Sequence, residues 1–333
     1  MGKELRYGII GAGSMGREHI ENIKVMGGAT VTAISDPHTP SQEAALAMAP
    51  GAKLFSDHRG LLESGLVDAV IISTPNDTHV EVLKDALATD LAVFVEKPLA
   101  TTIEDLKSIV AWDEKRSAMT WMGLEYRFMP PVAEAIARAK AGAVGKVKLV
   151  SIREHREPFY PKVGNWNRFT ERTGGTLVEK CCHYFNLMDI VIGEQPIRVF
   201  ASGGQSVNHL DEKYDGKSAD VLDNAYVVLE YANGARAMLD LCMFGEGSFD
   251  KVDRRMKKII LVIALLVLTG CGGQISPKLI DGDNIQTIHG VWRVNDALEG
   301  AIAYCELRSK KVKFIKSDCS ETTCVSSYQC IIK

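Results

Sequence analysis

The segment Gly11-Ala12-Gly13-Ser14-Met15-Gly16 constrains this chain more than any other, because of where it falls. It follows the short apolar run Leu5–Ile10 and opens a helical pattern, Ser14–Val25, with Met15, Ile20 and Ile23 near the inner face. Glycines at this spacing between a strand and a helix permit a tight turn. They also let a pyrophosphate come close to the helix N-terminus. Asp36 lies 20 residues beyond Gly16, at the end of the next strand, Thr30–Ser35. A carboxylate there accepts from both ribose hydroxyls and repels a 2′-phosphate, so the expected cofactor is NAD.

Further apolar strands, Ala69–Ser73 and Ala92–Val95, alternate with helical patterns at Val80–Ala88 and Ile103–Trp112. Continuous apolar strands separated by amphipathic helices specify a parallel sheet covered on both faces. Residues 1–122 are therefore expected to form a doubly wound α/β domain. Ser73-Thr74-Pro75-Asn76 and Glu96-Lys97-Pro98 follow two of these strands. They fall at the carboxyl edge of the sheet, where open α/β sheets bind ligands.

The pattern changes after residue 122. Pro130-Pro131 opens a helix at about Val132–Lys140, and Val147–Arg153 alternates as a half-buried strand. Ala225–Tyr231 and Ala235–Leu241 flank Asn233-Gly234, a hairpin signal, and a helix is expected near Leu177–Ile192. Residues 123–250 read as an α+β domain with an antiparallel sheet. Hydrophobic residues at 46% and a formal net charge of −3 suit a globular chain with no nucleic-acid partner.

These residues resemble the Gfo/Idh/MocA family, that of glucose–fructose oxidoreductase and inositol dehydrogenase, over about residues 4–250. The resemblance rests on the glycine fingerprint, on Thr74-Pro75-Asn76 with His79, and on Glu96-Lys97-Pro98. Tyr126-Arg127-Phe128 and Gly174-Gly175-Thr176-Leu177-Val178-Glu179-Lys180-Cys181-Cys182-His183 complete it. It implies a Rossmann domain followed by an open antiparallel sheet, a sugar or cyclitol substrate between sheet and nicotinamide, and a homo-oligomer. It implies that Lys97 is the catalytic lysine and His183 the second catalytic group. An ammonium beside a substrate oxygen stabilises a developing alkoxide. The family's acid four residues before the histidine is usually Asp; here it is Glu179, placed by helical spacing to orient the imidazole.

The expected cofactor set is Gly11, Gly13, Ser14, Met15, Gly16, Asp36, Thr74, Pro75, Asn76, His79 and Glu96. Tyr126, Arg127, Asn165 and Trp166 are substrate candidates, since amides bond hydroxyls and an indole stacks on a sugar face. A plain loop anchored by its tryptophan fits Asn165-Trp166 equally well. Cys181 and Cys182 read as small buried residues rather than thiol chemistry. Lys180 is a further cation with no assigned role. No metal site is expected.

The expected continuation of the sheet is replaced by Arg254-Arg255-Met256-Lys257-Lys258, ten apolar residues Ile259–Leu268, and Thr269-Gly270-Cys271-Gly272-Gly273. A basic segment, a short apolar run and a small residue before a cysteine resemble a bacterial lipoprotein precursor starting at Met256, with Cys271 as the lipidated residue. Ten helical residues span only about 15 Å, too short for a transmembrane helix, so membrane association through 259–271 would be by anchor. A buried apolar strand is the other reading of Ile259–Leu268. Residues 251–273 are thus taken as the signal segment and 274–333 as a small tail. Cys305, Cys319, Cys324 and Cys330 there allow two disulfides in three pairings. With no signal peptide before Leu5, residues 1–250 are expected in the cytoplasm and the tail outside it. A gene-model or assembly join, a natural fusion and an engineered chimera all fit the junction; the join fits best, because a signal peptide in mid-chain serves no folded enzyme. Against an NAD-dependent sugar or cyclitol dehydrogenase stand a non-catalytic NAD-binding regulator and an inactive truncated fragment. Retention of Lys97 and His183 favours the enzyme.

Overall fold

The computed structural model describes residues 4–245 and, in the tail, strands at 278–281, 284–290, 310–319 and 323–332. By its contacts the chain divides into two compact units, Met1–Lys251 and Val252–Lys333. The expected signal segment, with Cys271, and Cys305 lie outside the described residues.

The first sheet collects six parallel strands: β1 (Leu5–Ile10), β2 (Ala29–Ser35), β3 (Lys53–Phe55), β4 (Ala69–Ile72), β5 (Ala92–Val95) and β6 (Thr120–Met122). Their order is β3-β2-β1-β4-β5-β6, which reverses between β1 and β4 and opens a crevice there. All four residues of β4 are buried, as a central strand covered on both faces requires. The connections carry α1 (Ser14–Met26), α2 (Thr39–Met48), α3 (His58–Leu62), α4 (His79–Ala86) and α5 (Ile103–Asp113). Two apolar cores lie on the two faces. One joins Ile72, Leu83, Val95 and Ile109, and the other joins Ile9, Ile20, Ile34 and Ala45.

The next elements are α6 (Pro130–Lys140), β7 (Leu149–His155), α7 (Thr170–Thr173), α8 (Thr176–Glu179) and α9 (Cys182–Ile192). They are followed by β8 (Pro196–Gly204), β9 (Lys213–Tyr214), β10 (Lys217–Ser218), β11 (Asn224–Tyr231) and β12 (Arg236–Cys242). The second sheet runs β7-β12-β11-β8. It is mixed rather than purely antiparallel, because β7 pairs with β12 in parallel. A tight hairpin forces β11 and β12 antiparallel, whereas the long connection from β7 leaves its direction free. Alternation puts Val227, Leu229, Leu239 and Leu241 on the face that packs against Tyr184 and Met188 of α9.

Two local expectations are revised. The hairpin expected at Asn233-Gly234 forms, with residues 232–235 between β11 and β12 and Gly234 N–H donating to Tyr231 O at 3.0 Å, but its expected positive φ at both residues is not what is seen. Among its residues Gly234 alone takes positive φ, at 77°, and Asn233 instead accepts the Ala235 amide on its side chain at 2.9 Å. The single helix expected at Leu177–Ile192 is two, α8 and α9, broken at Lys180-Cys181. In an unbroken helix the Glu179 carbonyl would accept from the His183 amide. Here it accepts from Lys97 Nζ at 2.9 Å.

In the second unit, β13 (Lys278–Asp281), β14 (Asn284–Gly290), β15 (Lys310–Cys319) and β16 (Thr323–Ile332) form an antiparallel sheet in the order β13-β14-β16-β15. Cys319 and Cys324 are register partners on β15 and β16.

Candidate active site

The first βα turn is built as a close approach of backbones. Gly11 takes φ 92° and donates its amide to Ser35 O at 2.8 Å. A Cβ there would sit 2.6 Å from the Ser73 carbonyl carbon, and one on Gly16 would sit 2.0 Å from Gly11 O. A Cβ on Gly13, by contrast, meets nothing within 4 Å. Two glycines therefore close the turn, and the third keeps open space in front of the α1 N-terminus, where a pyrophosphate fits.

That space belongs to a cavity of about 630 Å³. Gly11, Gly13, Ser14, Asp36, Thr74 and Pro75 line one side of it. Asp36 is buried, and its two oxygens accept the Ala12 and His38 amides, each at 2.7 Å. Those bonds fix the carboxylate at the cavity wall. The opposite wall is a segment that spacing did not single out for the cofactor, Pro161–Gly164 with Trp166. Trp166 lines this same cavity. Asn165 adopts φ 53° beside it and donates its amide to Lys162 O at 2.8 Å.

Asn76, His79 and Glu96 stand behind the cavity as braces. His79 is fully buried, with Nδ1 2.8 Å from Pro98 O and Nε2 3.1 Å from Thr74 O. Burial pushes its pKa down, so a neutral ring donates to at most one of those carbonyls. It ties the loop after β4 to the loop after β5 and leaves no edge for a ligand. Asn76 Nδ2 donates to Thr173 O at 3.2 Å. Glu96 lies 2.7 Å from His19 Nε2 through one oxygen and accepts the Lys97 amide through the other at 3.2 Å. Met15 is exposed, and Gly16 packs beneath Gly11.

Lys97, His183 and Tyr126 meet beside that edge. The His183 ring stacks on Tyr126 with centroids 4.0 Å apart and planes 8° from parallel. Its pKa is pushed down to about 3, first by burial and then by the charges of Lys97 and Lys180. The expected pairing of Glu179 with His183 is not the contact made. His183 Nε2 lies 3.6 Å from Glu125 Oε1, and Nδ1 is buried with no hydrogen-bond partner. The helix break accounts for this, since four-residue spacing aligns side chains only within a continuous helix. Glu179 is buried instead among Lys97, Lys162, Arg156 and Arg168; burial raises its pKa against their opposing charges.

Lys180 has a role that spacing left open. Its ammonium donates to the Tyr126 hydroxyl at 2.6 Å and lies 3.3 Å from Glu154 Oε1, fixing the ring on which His183 stacks. Arg127 Nε is buried and unpartnered. Cys181 is buried and its thiol is pushed up to about 12, and burial raises Cys182 as well, so both stay protonated packing residues. Glu125 is the residue here that sequence reasoning missed. It precedes the Tyr126-Arg127-Phe128 motif by one position, and only the fold brings it to a residue 58 positions away.

Comparison with known proteins agrees with this architecture. Residues 5–124 match the Gfo/Idh/MocA family's model described as an oxidoreductase family, NAD-binding Rossmann fold. Residues 137–258 match that family's C-terminal alpha/beta domain. A myo-inositol 2-dehydrogenase of Thermotoga maritima is 29% identical over 236 residues, covering 71% of this chain and 68% of that protein. An inositol 2-dehydrogenase of Rhizobium meliloti is 27% identical over 235 residues, covering 71% and 68%. A myo-inositol dehydrogenase from Lactobacillus casei, solved in complex with NAD(H) and myo-inositol, shares the fold with a TM-score of 0.60. It is 24% identical and covers 71% of this chain and 67% of that one.

Proposed function

Because residues 5–258 belong to the Gfo/Idh/MocA oxidoreductase family, and their Rossmann domain is of its NAD-binding type, we propose that the chain oxidises a ring hydroxyl of a cyclitol or sugar to the ketone. One observation carries the reading: Lys97, Tyr126 and His183 are assembled at the carboxyl edge of the sheet, beside a cavity shaped for a dinucleotide. The inositol dehydrogenases among its relatives make an inositol the first substrate to test.

The residues fit the cofactor. Gly13 leaves room where the pyrophosphate would lie, the α1 N-terminus would supply amides to it, and Asp36 would hold the ribose hydroxyls. Bound NAD supplies the hydride acceptor. Lys97 donates to the reacting oxygen and stabilises the charge that grows there as hydride leaves the carbon. His183 is neutral at physiological pH, so Nε2 can take the hydroxyl proton. Glu125 Oε1, 3.6 Å from Nε2, is placed to take the proton onward through one bridging water. Burial raises the pKa of Glu125, in the direction that suits a carboxylate receiving a proton. The test is the full chain with NAD and a panel of inositols and sugars. NADH formation with one or more of them supports the reading, and binding of NAD without any turnover points to a regulator.

The pattern of residues 254–271 supports a second, separate proposal, that they act as a lipoprotein-type export signal. Arg254, Arg255, Lys257 and Lys258 would stay cytoplasmic, with the dehydrogenase part, by the positive-inside tendency, and Cys271 would become the lipidated end of a released tail. Expression in a bacterium with labelled lipid checks this. A lipidated fragment beginning at Cys271 is expected, and a single soluble, unlipidated, active polypeptide of 36.4 kDa overturns it.

A further inference from the structure

Lys162 sits where a cation is out of place. Its ammonium donates to Ser14 Oγ at 3.0 Å, across 148 positions of sequence. Ser14 is the first residue of α1, a helix of 13 residues with no acidic side chain in its first turn. The N-terminus of such a helix carries a partial positive charge, so a lysine directed there is repelled. Burial also lowers the Lys162 pKa, and the carboxylates that offset this, Glu179 and Glu96, act from a distance, alongside an opposing Lys97. An anion between Lys162 and the helix end would turn both unfavourable interactions into favourable ones.

The segment that carries Lys162 is fixed at its root. Asn167 is buried, donates to Tyr160 O at 2.9 Å and accepts the Lys162 amide at 3.2 Å. Gly164 at φ 66° and Asn165 at φ 53° turn the chain back on itself. The strap is therefore shaped before any ligand arrives, and Lys162 lines the same cavity as Gly13 and Asp36. We infer that Lys162 is a cofactor-binding residue supplied by the second domain, which grips the dinucleotide's pyrophosphate against the α1 N-terminus. This rests on the dinucleotide reading of the cavity. It makes cofactor affinity depend on a strap outside the Rossmann fold.

The test compares the full chain with Lys162→Gln and Lys162→Arg, using NADH fluorescence titration and, in parallel, binding of adenosine, which has no phosphate. Lys162→Gln should weaken NADH about tenfold, since one charge-assisted contact is lost. Its NADH affinity should also vary less with salt. Lys162→Arg should recover most of the loss, and adenosine should bind all three forms alike. NADH affinity unchanged in Lys162→Gln overturns the inference. An equal loss of adenosine overturns it too, because the strap would then be acting through folding. If the unsubstituted chain fails to bind NADH, the dinucleotide reading falls and takes this one with it.

Discussion

Lys97 is positioned at both ends, by its amide on Glu96 and by its ammonium on the Glu179 carbonyl. Neither contact involves the glycine turn that would hold NAD. Lys97→Ala should therefore lower kcat on the order of 10²-fold or more with little change in NADH affinity. A matching loss of NADH affinity would make Lys97 a cofactor anchor. His183 gives a test by pH. Its folded pKa of about 3 lies below the usual histidine value, so the unfolded chain binds the extra proton between the two. Stability then rises with pH through that window and is lost as pH falls below about 6.5. Relative to His183→Gln, the unsubstituted chain should lose about 2 kcal/mol between pH 7 and pH 5 in urea unfolding. A constant difference would mean that the ring titrates normally. Lys97 and His183 were legible because each stands inside a dense motif. The partner of His183 was not, because helical spacing assumes an unbroken helix and the Lys97–Glu179 contact interrupts this one.

The turn between β1 and α1 allows its glycines to be told apart. Gly13→Ala adds a methyl group to empty space, so the fold should lose less than about 1 kcal/mol while NADH binding falls sharply. Gly16→Ala drives a methyl group into the Gly11 carbonyl, so thermal stability and binding should fall together, by about 1–3 kcal/mol in stability. Equal effects in melting and NADH titration would deny the distinction. The long strands and helices of the first sheet were readable from apolar runs. β3 and β6, of three residues each, are too short to show a period, and only pairing with neighbours makes them strands. The same limit applies to the turn at Asn233-Gly234. The dipeptide signals a hairpin, but which of its two residues takes positive φ is settled by the register of the paired strands.

The two domains of the first unit meet around the cavity, with the glycine turn on one wall and the Pro161–Trp166 strap on the other. No spacing rule links Ser14 to Lys162, so that contact between the two domains was not legible in the sequence, although Trp166 of the same strap was singled out there. The parallel pairing of β7 with β12 escaped for a related reason: alternation marks a strand's faces but not its direction. What the assembled molecule does is tested most directly by the reaction itself. Full chain, NAD and a panel of inositols and sugars are mixed, and NADH is followed with unsubstituted and Lys97→Ala protein side by side. The account predicts NADH formation with at least one ring polyol, abolished by Lys97→Ala although NADH still binds. NADH binding with no turnover of any polyol, or turnover that survives Lys97→Ala unchanged, would contradict it.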